Sequence, residues 1–333
     1  LTDQALERVK PFIPQPSEQD LLDALMNLQE ELFMYGITTV HDAGFEDGDY
    51  SFFQKFVEQQ KWHLKTYGML LPTEKNFALA KKGILKNDNL SARTFKFFID
   101  GSLGSHGALL KAPYSDDMSK GHGTLNIAHK ELEAQVKRCA DLGYQVAFHA
   151  IGDSAVRIAL ELTLKHNEDH PDHRWRLEHG IFINPTDYNL LLNSGIIPSL
   201  QPLQAISDAP FLQDRFGDLR LKATNAFQTV LNQTGIILLG SDFPVESHNI
   251  HRTIQAAANP TNKNEALTMG TIVKSLTIWP AIAVFDEKNS GSLETGKEAT
   301  FAVFTRSLNQ GDVFRENFSM STYIKGKEVY SAE

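Results

Sequence analysis

Short apolar runs with the length of buried strands alternate with stretches of helical periodicity along most of this chain. We count about seven strand–helix units, and such alternation is typical of parallel strands joined by right-handed crossovers. The pattern therefore predicts an α/β fold built on a TIM-type (β/α) barrel, with one unit fewer than the eight that close such a barrel.

The last part of the chain has a different pattern. After the polar, glycine-containing residues 291–297, two β-like runs cover residues 299–305 and 321–330. Short runs of this kind in succession have β-hairpin character. We predict a barrel domain over residues 1–290 and a small separate β segment over residues 291–333.

Four of the apolar runs each carry one residue that can bind a metal or exchange a proton. The runs cover residues 94–101, 145–150, 174–179 and 236–242, and the residues are Lys96, His149, His179 and Asp242. In a parallel barrel the carboxyl ends of the strands meet at one rim, where barrel active sites lie. We therefore expect these four side chains to converge on a metal site at that rim.

Lys96 is the most informative of the four. Side chains alternate along a strand, so Lys96 faces away from Phe95 and Phe97 and into the barrel. A buried, unpaired ammonium is costly, and such groups are paired, neutralised or modified. A salt bridge to Asp100 or Asp242 inside the barrel is the simpler alternative to a role in chemistry.

The two strand-end histidines and the aspartate have their own alternatives. His149 and His179 lie about one strand–helix unit apart, and imidazole is a natural zinc ligand, but the chain has 12 histidines and the placement can arise by chance. Asp242 can bind a metal, move a proton or do both, or it can cap the next loop. The sequence alone leaves these alternatives open.

Two further histidines stand out. His41 ends the strand predicted over residues 37–42, where it is either a ligand or a polar residue of the rim. His106 lies in the segment 101–127, which is dense in glycine, serine and aspartate and long enough to be a lid or binding loop. It either touches substrate or is a mobile surface residue.

Composition limits the partners. The net charge is −9 and no cluster of Lys and Arg is present, so we exclude a nucleic-acid partner. No apolar run reaches the roughly 18 residues that cross a bilayer, and no signal peptide is visible. The single cysteine, Cys139, is predicted to be buried on a helix without a catalytic role, and the lack of any disulfide favours the cytoplasm.

Five blocks follow one another in the sequence: FKFFIDGSLGS at 95–105, FHAIGD at 148–153, RLEH at 176–179, QP at 201–202 and LGSDFPVE at 239–246. In this order they resemble the metal-dependent amidohydrolases, and more narrowly the amidohydrolase 3 group, which includes N-substituted formamide deformylase and exoenzyme regulatory proteins. The likeness runs from about residue 36 to residue 297. Residues 291–297 are similar to the return of that group into a small β-sandwich, so we expect the C-terminal segment to be a remnant of one.

The resemblance implies a function and a set of roles. Lys96 would be carboxylated by CO₂ and bridge two divalent ions, zinc in our expectation, while His149 and His179 bind one ion and Asp242 binds the other. The implied reaction is hydrolysis of a non-peptide C–N bond of a small molecule by metal-activated water, with Asp242 as proton shuttle. The candidate substrate contacts are Asp100, Ser102, His106 and Gln201.

The chain also departs from the family pattern. The family's first strand carries a His-x-His pair that binds the second ion, and no such pair occurs here. Together with the count of seven strands and the absence of an initial Met, this predicts a chain that lacks the first barrel strand. We expect it to hold one ion or none, where the full-length protein holds two. His106 and Gln204 stand where an Arg and a His are often found, so we expect the substrate pocket to differ.

Two other functions are compatible with the sequence. A mononuclear deaminase on the same barrel would use His149 and Asp242 with one zinc ion and leave Lys96 unmodified. A catalytically silent binding or regulatory relative would keep the barrel without turnover. Under the leading interpretation the partner is a small-molecule substrate, with no membrane partner and a possible homodimer.

Overall fold

The computed structural model describes residues 8–14, 16–305 and 319–332 of the 333-residue chain. The strands of its main sheet are β1 (Thr39–Phe45), β2 (Lys65–Leu70), β3 (Leu85–Lys86), β4 (Leu90–Phe98), β5 (Gln145–Ala150), β6 (Arg176–His179), β7 (Ile197–Leu200) and β8 (Leu238–Leu239). Their order is β1-β2-β4-β5-β6-β7-β8, all parallel, with the short β3 antiparallel to the start of β4. The predicted α/β fold with seven parallel strands of a TIM-type barrel is confirmed.

Helices occupy every crossover between successive parallel strands. The helices are α1 (Glu18–Met34), α2 (Asp49–Glu58), α3 (Glu74–Ala80), α4 (His129–Asp141), α5 (Asp153–His166), α6 (Tyr188–Ser194), α7 (Pro202–Ser207), α8 (Ala209–Leu221), α9 (Phe227–Thr234), α10 (Ile250–Ala258), α11 (Met269–Leu276) and α12 (Ile278–Ala283). Among the described residues, no helix has both the length and the apolar character needed to cross a membrane.

The first helix begins at a capping box. The Ser17 hydroxyl accepts the backbone N–H of Asp20 at 3.1 Å, and the Asp20 carboxylate accepts the backbone N–H of Ser17 at 3.0 Å. This reciprocal pair satisfies two donors that the helix end would otherwise leave unpaired. Residues 35–38 then connect the helix to β1, the first strand of the sheet.

Alternating side chains give the sheet two different faces. Phe95 and Phe97 are at most 2% exposed and belong to the large core between the sheet and the helices. Tyr67 and Ala147 belong to a small apolar cluster on the other face, inside the barrel. Lys96 lies between the two phenylalanines in β4 and is 2% exposed, so its side chain is buried on the inner face, as predicted.

Cys139 lies in α4 with no exposed surface and packs in the large core with Leu132 and Val136. Burial raises the pKa of its thiol, because the thiolate would lose its solvation. The predicted structural role is therefore confirmed, since a nucleophilic cysteine needs an accessible thiolate.

The long segment between β4 and α4 is packed rather than open. Arg220 of α8 donates hydrogen bonds to the carbonyl groups of Ala112 and Pro113 at 3.0 and 2.8 Å. Leu103 and Tyr114 of the segment join an apolar cluster with residues of α8. The segment is thus fixed against α8, on the side of the barrel where the strands end.

Three antiparallel strands follow the barrel: β9 (Phe301–Phe304), β10 (Ser319–Ile324) and β11 (Lys327–Ser331), in the order β11-β10-β9. The predicted β character of this region is confirmed. The run predicted over residues 321–330 is not one strand, however, because the left-handed Lys325 and Gly326 turn it into a hairpin. The part of the segment over residues 306–318 lies outside the described residues.

This small sheet packs on the N-terminal helix. The Thr322 hydroxyl donates a hydrogen bond to the Phe33 carbonyl at 2.7 Å. Gly36 has a φ of +74°, and a Cβ there would lie 2.7 Å from the Cβ of Ala302. Only glycine allows this close approach between the end of α1 and β9.

Candidate active site

The four residues singled out in the sequence lie at the carboxyl ends of strands. Lys96 is in β4, His149 in β5 and His179 at the end of β6, and these three strands are neighbours in the sheet. Asp242 follows β8 by three residues and its side chain is exposed. All four therefore belong to the same rim of the barrel.

The two imidazoles are in contact. The ring centroids of His149 and His179 are 4.5 Å apart, with 67° between the ring planes. Burial lowers the pKa of each ring, and the charge of Lys96 lowers both further. The charge of Asp242 opposes this lowering of the pKa at His179, because a nearby carboxylate favours the protonated ring. The rings are thus neutral at pH 7, the form in which imidazole binds a metal.

The backbone at two of these residues is unusual. His179 has a φ of +74° and Asp242 a φ of +60°, a region that residues other than glycine rarely adopt. Strained residues of this kind cluster at functional sites. At His179 the effect of this backbone conformation is visible. Strand alternation would point its side chain outward, as it does for Leu177 in the outer core, and yet the ring of His179 contacts that of His149.

A buried ionic network in the barrel interior was not predicted. Arg176 Nε lies 2.8 Å from Glu178 Oε1, and its other nitrogens donate to Ser199 Oγ at 3.0 Å and to His41 Nδ1 at 2.9 Å. Both charged residues belong to the RLEH block at 176–179, and neither is among the predicted site residues. The signal that could have found them is strand alternation, which sends Arg176 and Glu178 to the face occupied by Lys96.

The network shapes the charge of Lys96. Burial lowers the pKa of Lys96 to about 8, while the charges of Glu178 and Asp242 oppose that change. Burial alone would raise the pKa of Glu178, but the charges of Arg176 and Lys96 lower it to about 2. Glu178 is therefore an anion, and a substantial fraction of Lys96 is a neutral amine near pH 8.

His41 gives the network a predictable response to acid. Burial, together with the positive charge of Arg176, lowers the pKa of His41 to about 3, whereas the ordinary value is 6.5. Between about pH 3 and pH 6.5 the unfolded chain therefore binds a proton at His41 that the folded protein does not bind. The contribution of His41 to stability is present above about pH 6.5 and is lost as the pH falls towards 3. We expect His41→Asn, which keeps an acceptor for Arg176, to lose less stability than the wild type in that window.

Urea unfolding at pH 7 and pH 4 measures this difference. The exposed His129→Asn substitution is the control, since it removes a solvated histidine from α4. A wild type and a His41→Asn variant that lose the same free energy of unfolding between the two pH values would contradict the prediction.

Asp100, predicted to contact substrate or pair with Lys96, has a different position. It is 1% exposed, and its carboxylate accepts backbone N–H groups of Leu109 at 2.9 Å, Ile151 at 3.1 Å and Gly152 at 2.9 Å. Burial raises the pKa of Asp100 to about 7, and these hydrogen bonds oppose the rise. Asp100 therefore joins the loop after β4 to the start of α5, and its oxygen atoms are taken by backbone groups.

Ser102 and His106 lie in that same loop. Ser102 is exposed, and its hydroxyl is 2.9 Å from that of Ser105. His106 Nε2 lies 3.2 Å from Asp116 Oδ1, and its ring packs edge-on against Tyr114 at 4.8 Å. His106 thus has partners within the loop, and its contact with substrate stays a prediction.

Gln201, the last predicted substrate contact, keeps one polar atom available. It is 7% exposed, and its amide nitrogen donates to the carbonyl of Ser199 at 3.0 Å. Its amide oxygen is buried and has no hydrogen-bond partner among the described residues. A buried acceptor without a partner is costly, so this oxygen is suited to accept a hydrogen bond from a bound ligand.

The donor atoms at the rim fit a single metal ion only in part. His149 Nε2 is buried and has no hydrogen-bond partner in the described part of the chain, the nearest carboxylate oxygen, of Asp100, being 3.6 Å away. Two imidazoles fall short of the three protein ligands that hold catalytic zinc. Within residues 8–14, 16–305 and 319–332, no three His, Cys, Asp or Glu side chains are grouped to hold an ion. Lys96 would have to supply the third donor.

Comparison with known proteins gives the chain a family context. The sequence model that describes the Amidohydrolase family matches residues 1–330 of this chain. The curated Arabidopsis thaliana protein named LONG AFTER FAR-RED 3 is 30% identical over 359 aligned positions, covering 99% of this chain and 61% of its own length. The chain thus spans about three fifths of that relative.

Solved structures agree with the fold. A crystal structure described as an uncharacterized metal-dependent hydrolase from Pyrococcus furiosus superposes with a TM-score of 0.79 at 24% identity, covering 90% of this chain and 63% of that one. A counterpart from Pyrococcus horikoshii OT3 has the same TM-score and identity and covers 62% of that chain. At this level of identity the likeness concerns the fold.

Proposed function

This chain belongs to the amidohydrolase family, and from that premise we propose that it is a metal-dependent hydrolase that cleaves a non-peptide C–N bond of a small molecule. The observation that carries the proposal is the contact of two imidazoles, His149 and His179, at the rim. The charge of Lys96 lowers the pKa of both rings, and Asp242 opposes this at His179. Placing polar imidazole rings beside a buried lysine is costly, so this arrangement supports a functional role for the two histidines.

His149, His179 and Lys96 are the residues that would hold the metal. A divalent ion there, for which zinc suits the nitrogen donors, lowers the pKa of water and polarises the bond to be cleaved. Lys96 supports this role because its pKa of about 8 leaves a larger fraction of the amine neutral than an ordinary lysine has. That amine nitrogen can attack CO₂ and lose a proton, which gives an anionic carbamate as the third donor.

Asp242 is suited to move protons. Its carboxylate is exposed at the rim, where it can accept a proton from the attacking water and deliver it to the departing amine. Gln201 adds a buried amide oxygen that can accept a hydrogen bond from the N–H of an amide substrate. Phe98 is 46% exposed, and its ring centroid lies 5.4 Å from that of His149, so it offers an apolar surface beside the reacting group.

A substrate screen tests the proposed function. Zinc-loaded protein is incubated with formamides, N-acyl amino acids and cyclic ureas, and the released amine is measured, with Lys96→Ala and Asp242→Ala as inactive references. We expect release from at least one class that both references lose. Binding of zinc without turnover of any class would favour a silent binding relative, and release of ammonia from a ring amine would favour a deaminase.

The proposal extends to location. A chain with a single cysteine, which is buried, needs no oxidising compartment. We therefore propose that it works in the cytoplasm.

A further inference from the structure

One side chain links two of the rim residues without being a candidate ligand or proton donor itself. Gln204, in the first turn of α7, is 9% exposed. Its amide nitrogen donates to Asp242 Oδ2 at 3.0 Å, and its amide oxygen lies 3.3 Å from His179 Nδ1. The amide therefore lies between the carboxylate of a residue that follows β8 and the imidazole at the end of β6.

The chemistry of the two neighbours fixes the direction of the amide. A carboxylate only accepts hydrogen bonds, so the NH₂ group must face Asp242, and an amide oxygen there would be repelled. The amide oxygen is then left facing His179 Nδ1. Because an amide oxygen only accepts, this ring nitrogen must carry the hydrogen.

A neutral imidazole has one N–H and one nitrogen with a lone pair. If Nδ1 carries the hydrogen, the lone pair is on Nε2, and the ring can bind a metal through that atom alone. The same amide restrains the Asp242 side chain, which is otherwise exposed and attached to a loop. One residue therefore sets the proton position on one group and the direction of the other.

We propose that Gln204 is a positioning residue: its amide fixes the Nδ1–H tautomer of His179, leaves the Nε2 lone pair for a ligand and orients the Asp242 carboxylate at its other end. The proposal deepens the proposed function, on which its catalytic consequence rests. Outer hydrogen-bond partners of this kind change metal affinity or activity by about 10- to 100-fold when they are removed.

The test reads the histidine directly. Metal-free protein labelled with ¹⁵N at histidine is studied by long-range ¹H–¹⁵N NMR, with the signals of His179 assigned by their loss in His179→Gln. We expect the wild type to show the Nδ1–H tautomer of His179. In Gln204→Met, which keeps the length of the side chain but can form neither hydrogen bond, we expect a mixture of tautomers and zinc binding weaker by about 10-fold or more in calorimetry.

Two further variants separate the two ends of the amide. Gln204→Glu keeps an acceptor for His179 but sets a second carboxylate oxygen against Asp242, so we expect the tautomer to be retained and kcat to fall by about 10-fold or more. Gln213→Met is the matched control, because that glutamine is exposed on α8 and its amide nitrogen donates to Asp218 Oδ1 at 3.1 Å, away from the rim residues. Thermal unfolding establishes that each variant is folded.

Two results would overturn the proposal: an Nε2–H tautomer of His179 in the wild type, or a folded Gln204→Met variant with the wild-type tautomer and a zinc affinity within about twofold. The NMR signal does not depend on turnover. A tautomer that responds to Gln204 in a protein that hydrolyses nothing would uphold the positioning and reject the proposed hydrolase function.

Discussion

Asp242→Asn is expected to lower kcat for C–N bond hydrolysis by about 10²- to 10⁴-fold, because an amide cannot take a proton from water or deliver one to a leaving amine. The asparagine oxygen can still accept the hydrogen bond from Gln204. Since Asp242 is exposed, the free energy of unfolding should change by no more than about 0.5 kcal/mol. Steady-state kinetics on a substrate found in the screen, together with urea unfolding, measures both quantities.

The matched control for this substitution is Asp214→Asn, which makes the same change at an exposed position on α8. Its kcat should stay within about twofold of the wild type, since surface substitutions away from special features have small effects. If Asp242→Asn also kept most of its activity, proton transfer by Asp242 would be excluded.

Lys96→Met is expected to abolish zinc binding at the rim and to lower kcat/KM by at least about 10²-fold, because it removes the third donor that two imidazoles need. Folding should survive, since Met has a similar length and the substitution removes a buried ammonium whose desolvation is costly. Glu178 keeps Arg176 as a partner at 2.8 Å. Calorimetric zinc titration and thermal unfolding test the two parts.

Lys65→Met provides the contrast. Lys65, at the start of β2, pairs with Asp286 at 2.6 Å and Glu298 at 3.2 Å. Its loss should lower stability and leave zinc affinity within about twofold, the reverse of the result expected for Lys96→Met. Equal loss of zinc affinity in the two variants would contradict a specific role for Lys96.

A second test concerns the form in which Lys96 acts. Lys96→Ala leaves a space that a short carboxylate such as propionate can enter, where it replaces the carbamate oxygens. Partial recovery of activity with propionate, and none with propylamine, is expected if the donor is an anion. Recovery with the amine alone would show that Lys96 acts unmodified.

The fold and the rim residues could be predicted because each depends on local pattern. The β/α alternation gave the parallel sheet, and alternation along β4 gave the inward direction of Lys96 between Phe95 and Phe97. The strand-end positions of His149 and His179 then followed from the fact that parallel strands end at one rim. The roles of these residues stay predictions until metal binding and turnover are measured.

What the sequence did not indicate depends on contacts between distant segments. Arg176 reaches His41 across the barrel, and Gln204 joins His179 to Asp242, pairs that no periodicity brings together. Asp100 looked available because it follows a strand, but backbone N–H groups of two other segments surround its carboxylate. Side-chain partners of this kind are set by tertiary packing, whereas the positions of strands are set by local periodicity.

The central claim is that residues from separate strands meet in one metal-binding, hydrolytic site. The most direct measurement is anomalous X-ray diffraction at the zinc edge from crystals of this protein soaked in zinc. The account predicts the strongest peak at about 2.0–2.1 Å from one ring nitrogen each of His149 and His179, with Lys96 as the next ligand. Zinc bound only at other places, with nothing between the two imidazoles, would contradict it.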